Sequence, residues 1–304
     1  MDAELLRKIN VSIQRLQAFC PDEGYYLAFS GGKDSIVCKK LLEMSGCKFD
    51  AHYRVTSVDP PELVQFIKNV HGDVARNVPH YKNGKPITMW NLIPKKMMLP
   101  TRINRYCCAA LKEDGGDGRK TVTGVRWYES KNRKDNQGVV TLYKKGINAD
   151  EMAESGFFAK TPRGGVVLVN DNEESRRMVE QCYKRSKTVI NPIIEWTDQD
   201  VWDFIKAEKI PYCQLYNEGF KRLGCIGCPM ASKGRFKEFA RWPKYKQMYK
   251  RAIKQMIYER QVRGLPPLQK HRTVEDLWHW WMEDGVAPGQ IELFSEEMLN
   301  DGAE

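Results

Sequence analysis

The sequence lacks any apolar run long enough to cross a bilayer, which argues against an integral membrane protein. It also lacks internal repeats and low-complexity segments, which argues against a solenoid or a disordered chain. The N-terminal stretch has apolar residues at helical spacing but carries Asp2 and Glu4, which do not suit a targeting peptide. We therefore predict an amphipathic N-terminal helix and a cytoplasmic protein.

Cysteine is present, but not in the pattern of a secreted protein. The total of nine is odd and no signal peptide precedes them, which disfavours a disulfide framework. Four thiols form two tight groups, the adjacent pair Cys107-Cys108 and the pair Cys225 and Cys228. In a reducing compartment such groups are more often metal ligands, and a soft four-cysteine set suits an iron–sulfur cluster or zinc.

The adjacent cysteines fit zinc poorly, because paired zinc ligands are normally separated by two to four residues. The alternatives that stay open at this point are an iron–sulfur cluster, no metal, and zinc. The other cysteines are predicted to be small buried residues: Cys20, Cys38, Cys47, Cys182 and Cys213.

A glycine-containing segment follows the apolar run 25–29 and precedes apolar residues at helical spacing. Strand, glycine turn and helix is the geometry that binds phosphate, since glycines admit an anion and a helix N-terminus offers free N–H groups. A lysine and two hydroxyls strengthen this interpretation over an ordinary capped turn. The segment is Ser30, Gly31, Gly32, Lys33, Asp34 and Ser35.

SGGKDS resembles the PP-loop of the ATP pyrophosphatase superfamily, which cleaves ATP between the α and β phosphates. A Cys-Cys pair far upstream of Cys-x-x-Cys resembles the 4Fe–4S signature of the phosphoadenosine phosphosulfate (PAPS) reductase family. The resemblance spans about residues 24–230. It implies ATP, Mg²⁺ and a 4Fe–4S cluster on Cys107, Cys108, Cys225 and Cys228.

The same resemblance implies further site residues. Lys33, Asp34 and Arg126 would be catalytic, with the guanidinium delivered to the phosphates from the end of a strand. The remaining nucleotide-binding residues would be Thr56 and Asp59 after the second strand, Gly124, and Arg133. On local sequence alone, Arg126 and Arg133 also fit ordinary surface charges.

The implied fold is a doubly wound, mostly parallel α/β sheet with ATP at the carboxyl ends of the strands. Residues 1–23 would form the N-terminal helix and 24–230 the nucleotide-binding domain. Residues 231–304 would form a helical C-terminal region that packs with the cluster segments. An insertion at about 134–188 would hold strands at 138–143 and 164–169 and a helix at 173–184, as a lid or a partner surface.

Two features depart from the sulfonucleotide reductases. The 76 residues after Cys228 contain no cysteine, whereas those reductases carry a redox cysteine near the C-terminus. The phosphate loop is complete, whereas theirs tends to be altered. This combination resembles the ATP pyrophosphatase component of DNA phosphorothioation systems, which implies DNA, a cysteine desulfurase or other sulfur donor, and further subunits as partners.

Other functions stay open on the sequence. They are a sulfonucleotide reductase, a tRNA-thiolation-type sulfurtransferase, and a non-catalytic nucleic-acid-binding subunit gated by nucleotide. The role of the cluster is also open, because it would either be structural or hold sulfur at an exposed iron.

The net charge of +10 invites a nucleic-acid interpretation. Residues 233–263 hold eleven Lys or Arg against two acids, whereas 273–304 hold nine acids and no Lys or Arg. Aromatic residues interleave with the basic ones at a spacing of three or four, which favours a buried helix face over base stacking. The basic face remains a candidate phosphate-binding surface, through Lys244, Lys246, Lys250 and Arg251.

Overall fold

The computed structural model of the protein describes residues 2–113, 115–116, 118–143, 149–169, 179 and 187–283. Apart from residue 179, the helix predicted at 173–184 lies outside the described residues, as do Cys182 and the acidic residues beyond 283. No helix within the described ranges is long and apolar enough to cross a membrane.

The described α-helices are α1 Ala3–Ala18, α2 Lys33–Ser45, α3 Pro61–Val70, α4 Met89–Lys96, α5 Tyr106–Leu111, α6 Lys131–Asn136, α7 Ala149–Glu154, α8 Asp198–Ala207, α9 Gly234–Arg241, α10 Pro243–Val262 and α11 Val274–Met282. The strands are β1 Tyr25–Ala28, β2 Phe49–Arg54, β3 Ala75–Asn77, β4 Thr121–Val122, β5 Val140–Tyr143, β6 Phe158–Lys160, β7 Val166–Leu168 and β8 Lys187–Ile190.

These elements divide between two compact units. The first unit contains the described residues of 2–53, 61–77 and 115–223. The second contains those of 54–60, 78–113 and 224–283. Each unit therefore draws on three separate stretches of the chain.

The first unit is built on a sheet with the strand order β3-β2-β1-β4-β8-β5-β7-β6. β1 pairs in parallel with β2 and with β4, and β4 pairs in parallel with β8, which confirms the predicted parallel α/β sheet for these strands. From β1 the chain moves outward through β2 to β3, whereas β4 lies on the other side of β1. The order thus reverses between β1 and β4, where open α/β sheets bind ligands at the carboxyl ends.

The predicted insertion extends the same sheet. β5 and β7 pair antiparallel, with Thr141 opposite Val167, which confirms the two strands predicted at 138–143 and 164–169. β5 also pairs antiparallel with β8, and β6 joins β7. The insertion is therefore a continuation of the sheet and places its outer strands away from the reversal between β1 and β4.

The predicted N-terminal helix is confirmed as α1. The Asp2 carboxylate caps it by accepting the Leu5 backbone N–H at 2.7 Å. Leu5, Ile9 and Leu16 are buried, and α1 packs against α2. Burial of this apolar stripe, more than intrinsic helix propensity, holds the helix in place.

The second unit is mainly helical in its described part. α9 ends at Arg241 and α10 begins at Pro243, as expected for a proline in the first turn of a helix. Phe239 and Tyr249 are buried, which confirms a core-facing aromatic stripe, but Phe236 is 57% exposed. The buried face of α9 is centred on Arg235 and Phe239, four residues apart, and Phe236 falls outside it.

The tryptophans of α11 also belong to the core of the second unit. Trp278, Trp280 and Trp281 are buried, which confirms structural packing over an interaction patch. Trp281 donates its indole N–H to the Pro100 carbonyl at 2.7 Å, so this polar atom is satisfied within the core.

Candidate nucleotide and cysteine sites

The SGGKDS segment lies where β1 gives way to α2, so the predicted strand, turn and helix are confirmed. Gly31 has φ of +73°, and a Cβ built there would lie 2.8 Å from the Ile67 side chain. This position therefore needs glycine for both conformation and space. Gly32 is the N-cap of α2 and makes no side-chain cap, which leaves the first turn to be capped from elsewhere.

The two serines of the loop bond to the loop itself. Ser35 accepts the Ser30 backbone N–H at 3.2 Å and donates its hydroxyl to the Gly32 carbonyl at 2.9 Å. The Ser30 and Ser35 hydroxyl oxygens lie 3.2 Å apart. Hydrogen bonds between the two ends of the loop thus hold its backbone in place before any anion binds.

Arg126 reaches this loop from the end of β4. It is 1% exposed, and its Nε donates to Asp34 at 2.8 Å. Gly124 allows this close approach, because a Cβ built there would lie only 2.8 Å from the Asp34 Cβ. The structure therefore brings four predicted site residues together: Lys33, Asp34, Gly124 and Arg126.

A second carboxylate, which the sequence analysis did not single out, completes this group. Asp198 accepts from Arg126 Nη2 at 2.5 Å and from Lys33 Nζ at 3.2 Å. Burial raises the pKa of Asp198, but the charge of Lys33 and the hydrogen bond of Arg126 outweigh it and lower the pKa. The available signal was the start of α8, where Thr197 and Asp200 together form the capping box and leave the Asp198 carboxylate available for another role.

Arg133 lies in the same electrostatic environment. It forms an ion pair with Glu129 on the preceding turn. Burial, and then the like charge of Arg222, lower the pKa of Arg133 to about 10, while the charge of Asp34 opposes this shift. The predicted residue Arg133 and the unpredicted Arg222 therefore add positive charge beside the loop.

The four paired cysteines all belong to the second unit. Cys107 and Cys108 lie on α5, and the Cys225–Cys228 turn is closed by the Cys228 N–H, which donates to the Cys225 carbonyl at 3.2 Å. The Tyr249 hydroxyl donates to the Ile226 carbonyl at 2.9 Å. This turn is therefore held from α10 as well as by its own backbone.

The thiols act on one another electrostatically. A hydrogen bond with Cys108, burial, and the charges of Cys108, Cys225 and Cys228 raise the pKa of Cys107. The same hydrogen bond lowers the pKa of Cys108 to about 6. Among the described residues, no group of three or more His, Cys, Asp or Glu is arranged to hold a metal ion.

Two residues predicted to bind nucleotide lie beside Cys225. The Thr56 hydroxyl oxygen is 3.6 Å from the Cys225 sulfur, and an Asp59 carboxylate oxygen is 4.0 Å from it. Lys112, not singled out from the sequence, also interacts here, because the charge of Cys225 raises the pKa of its amine. Its signal was its position one helical turn after Cys108.

The predicted phosphate-binding surface lies on α10. Lys244, Lys246 and Arg251 are exposed. Lys250 is half-buried and donates to the Glu275 carboxylate at 2.6 Å. Three of the four predicted cations are therefore accessible, while the fourth is engaged in an ion pair.

A profile of the phosphoadenosine phosphosulfate reductase domain matches residues 24–231. The match covers more than half of the chain, and the protein belongs to this family. Over 38 residues, the chain is 47% identical to the adenosine 5′-phosphosulfate reductase of Neisseria meningitidis serogroup A, a span of 12% of this chain and 16% of that enzyme.

Longer matches link the chain to two uncharacterised proteins of Methanocaldococcus jannaschii. The first is 25% identical over 272 residues, covering 84% of this chain and 45% of the relative. The second is 26% identical over 243 residues, covering 77% and 49%. The chain thus spans about half the length of these relatives.

Among solved structures, Candida glabrata FMN adenylyltransferase in complex with FAD and inorganic pyrophosphate is similar at a TM-score of 0.44 and 14% identity. The similarity covers 74% of this chain and 64% of that chain.

Proposed function

We propose that the protein is an ATP pyrophosphatase of the PAPS reductase family, which cleaves ATP to AMP and pyrophosphate to activate an acceptor for sulfur transfer. The observation that supports this most directly is the buried Arg126 beside the N-terminus of α2, in contact with Asp34 of the loop. A helix N-terminus with a buried lysine and a buried guanidinium is suited to a polyphosphate.

In this proposal the loop holds the β and γ phosphates of ATP, which enters as its Mg²⁺ complex. An acceptor oxygen attacks the α-phosphorus, the bond to the bridging oxygen breaks, and pyrophosphate leaves with the electron pair. Lys33 and Arg126 stabilise the charge that develops on the phosphates. The adenylated acceptor then loses AMP to an incoming sulfur nucleophile, so that sulfur replaces oxygen.

The products of ATP cleavage test this reaction. We expect labelled ATP to yield AMP and pyrophosphate, and Lys33→Ala to lower the rate by about 100-fold or more, because a cation at the phosphates is lost. Lys39→Ala is the matched control, since Lys39 lies on the same helix but pairs with Glu43 and Asp73.

Two outcomes would contradict the proposed reaction. One is ADP as the sole product, and the other is no turnover with any candidate acceptor and sulfur donor present. Sulfite release from PAPS or adenosine 5′-phosphosulfate, with thioredoxin and reductant, would identify a sulfonucleotide reductase instead.

We propose that the second unit holds a 4Fe–4S cluster on Cys107, Cys108, Cys225 and Cys228. The chemistry of the donor set supports this, because four thiols lie close enough for their charges to shift one another's pKa. Each cysteine of such a cluster binds a different iron, so its thiols are spread more widely than the ligands of one metal ion. When bound, the cluster would either crosslink the unit or hold sulfur at an exposed iron.

We propose DNA as the acceptor, as in DNA phosphorothioation, with a cysteine desulfurase or another protein as the sulfur donor. The exposed cations of α10 support a phosphate-binding surface, because each cation that neutralises a phosphate releases a condensed counterion. A tRNA or a small molecule would be the acceptor in the competing thiolation reactions.

Reversal of charge on α10 tests the DNA surface. We expect Lys244→Glu, Lys246→Glu and Arg251→Glu together to abolish DNA affinity at moderate salt and to reduce the salt slope by about three. Lys250 is left unchanged because of its ion pair with Glu275.

The control reverses Lys82 and Lys85, which are also exposed in the second unit but lie outside α9 and α10. Binding is measured by fluorescence anisotropy over a salt series. Equal loss in both variants would point to general charge rather than to this surface, and no loss in the α10 variant would move the DNA surface elsewhere.

A further inference from the structure

The hydroxyl of Tyr216 lies against the phosphate loop. The Lys33 backbone N–H donates to this oxygen at 2.8 Å, between residues 183 positions apart in the sequence. A Cβ built on Gly32 would lie 3.4 Å from the Tyr216 hydroxyl and 3.4 Å from the Ser30 hydroxyl. Both oxygens therefore crowd the same point above the first turn of α2, where an anion's oxygen would meet the helix.

Two anchors fix Tyr216 in this position. It ends the short 3₁₀ helix Gln214–Tyr216, in which Leu215 is completely buried. Its ring packs edge-on against Trp202 of α8, with ring centroids 5.1 Å apart. The same helix α8 begins with Asp198, which contacts Lys33 and Arg126, so the phenol and the charged group share one support.

The Tyr216 phenol has one hydrogen-bonding function left to use. Burial raises its pKa, so the hydroxyl is protonated at neutral pH. The oxygen accepts from Lys33, while the hydroxyl proton has no acceptor among the described residues. A protonated phenol can accept one hydrogen bond and donate another, which allows it to connect an N–H group to an anionic oxygen.

We propose that Tyr216 is a phosphate ligand of the nucleotide site, which accepts from the Lys33 N–H and donates its O–H to an oxygen of the pyrophosphate portion of ATP. This inference rests on the proposed nucleotide site and adds to it a residue from a distant segment. Through the phenol, the N–H group at the start of α2 is connected by two successive hydrogen bonds to a phosphate oxygen that it does not contact directly. Because the phenol is neutral and held by packing, it would fix the position of the phosphate without adding charge to the site.

Tyr216→Phe tests this ligand, with Tyr212→Phe as the matched control. Tyr212 belongs to the same aromatic cluster, but its hydroxyl donates to Asn217 at 3.1 Å. We measure the affinities of the full chain for ATP, inorganic pyrophosphate and AMP by calorimetry. Tyr216→Phe should weaken ATP and pyrophosphate by about 10-fold or more, since a hydrogen bond to a charged group is lost.

AMP separates a phosphate contact from a general structural effect. It lacks the β and γ phosphates, so its affinity should be unchanged in Tyr216→Phe, and Tyr212→Phe should leave all three ligands unchanged. Equal or tighter pyrophosphate binding by Tyr216→Phe would overturn the inference, and tighter binding would show that the hydroxyl competes with phosphate for Lys33. Failure of the unaltered protein to bind ATP or pyrophosphate would instead overturn the nucleotide site itself, and the inference with it.

Discussion

Replacing Arg126 with alanine is expected to reduce ATP turnover by at least about 100-fold and to destabilise the first unit by about 3 kcal/mol. The guanidinium is 1% exposed and bonds to Asp34, Asp198 and the Trp196 carbonyl. Its removal leaves Asp34 and Asp198 with Lys33 as their shared ion-pair partner. Turnover is measured by AMP release, and stability by urea denaturation.

A double-mutant cycle distinguishes this charge group from simple loss of packing. Asp198→Asn alone should cost less than Arg126→Ala, because the Asp198 side chain is 56% exposed and can be solvated. The double variant should be more stable than the sum of the single changes predicts, since each removes part of the other's unpaired charge. Additive effects would contradict a coupled group.

The dependence of stability on acidic pH independently tests the ion pairs between Arg126, Asp198 and Lys33. The folded pKa of Asp198 lies below its unfolded value of about 3.9. Its ion pairs therefore stabilise the fold above the unfolded pKa, and this contribution is lost as the pH falls through the folded pKa. In Arg126→Ala the stability should fall less steeply on the acid side, because the pairing has already been weakened.

The phosphate loop was predictable because its determinants are local. The apolar run before Ser30, the glycines and the helical spacing after Ser35 fix strand, turn and helix within a few residues. The start of α10 at Pro243 is another local feature, because proline lacks the N–H that a helix interior needs. The sequence therefore predicts such elements without knowledge of the remaining chain.

The residues that contact the loop were harder to predict from the sequence, because their positions depend on tertiary contacts. Asp198 is 72 residues from Arg126, and Tyr216 is 183 residues from Lys33. An acid in the first turn of a helix and a tyrosine in a turn have common local explanations that conceal these roles. The pairing of β4 with β8 and the packing of α8 against α2 bring these later segments to the end of β1.

At the cysteine site, too, the sequence does not reveal which distant residues lie beside the predicted ones. The two cysteine pairs are recognisable from their spacing, whereas the sequence predicts that their neighbours Thr56 and Asp59 bind nucleotide. Thr56 and Cys225 are 169 residues apart, and the Ile226 N–H donates to the Val58 carbonyl at 2.7 Å. A segment after the second strand therefore lies in one compact unit with the cysteines, and its chemical role depends on that placement.

The cysteine pairs lead to the second large effect. Protein purified without oxygen is expected to be brown, with about four irons and four sulfides per chain. Replacing Cys107, Cys108, Cys225 or Cys228 singly with serine should remove most of the visible absorbance. The variants should also be less soluble, since ligand loss removes binding free energy that contributes to the stability of the second unit.

Cys20→Ser is the matched control, because Cys20 is half-buried, lies in the first unit and neighbours Cys47 instead of the paired cysteines. It should keep the colour, the iron and the thermal stability of the unaltered protein. Stoichiometric zinc in an anaerobic preparation would show a different metal, and colour that survives all four substitutions would exclude these ligands.

The surroundings of Cys225 make its substitution the most informative of the four. Thr56, Asp59 and Lys112 all interact with this thiol, so serine there changes both a proposed cluster ligand and its interactions with these three groups.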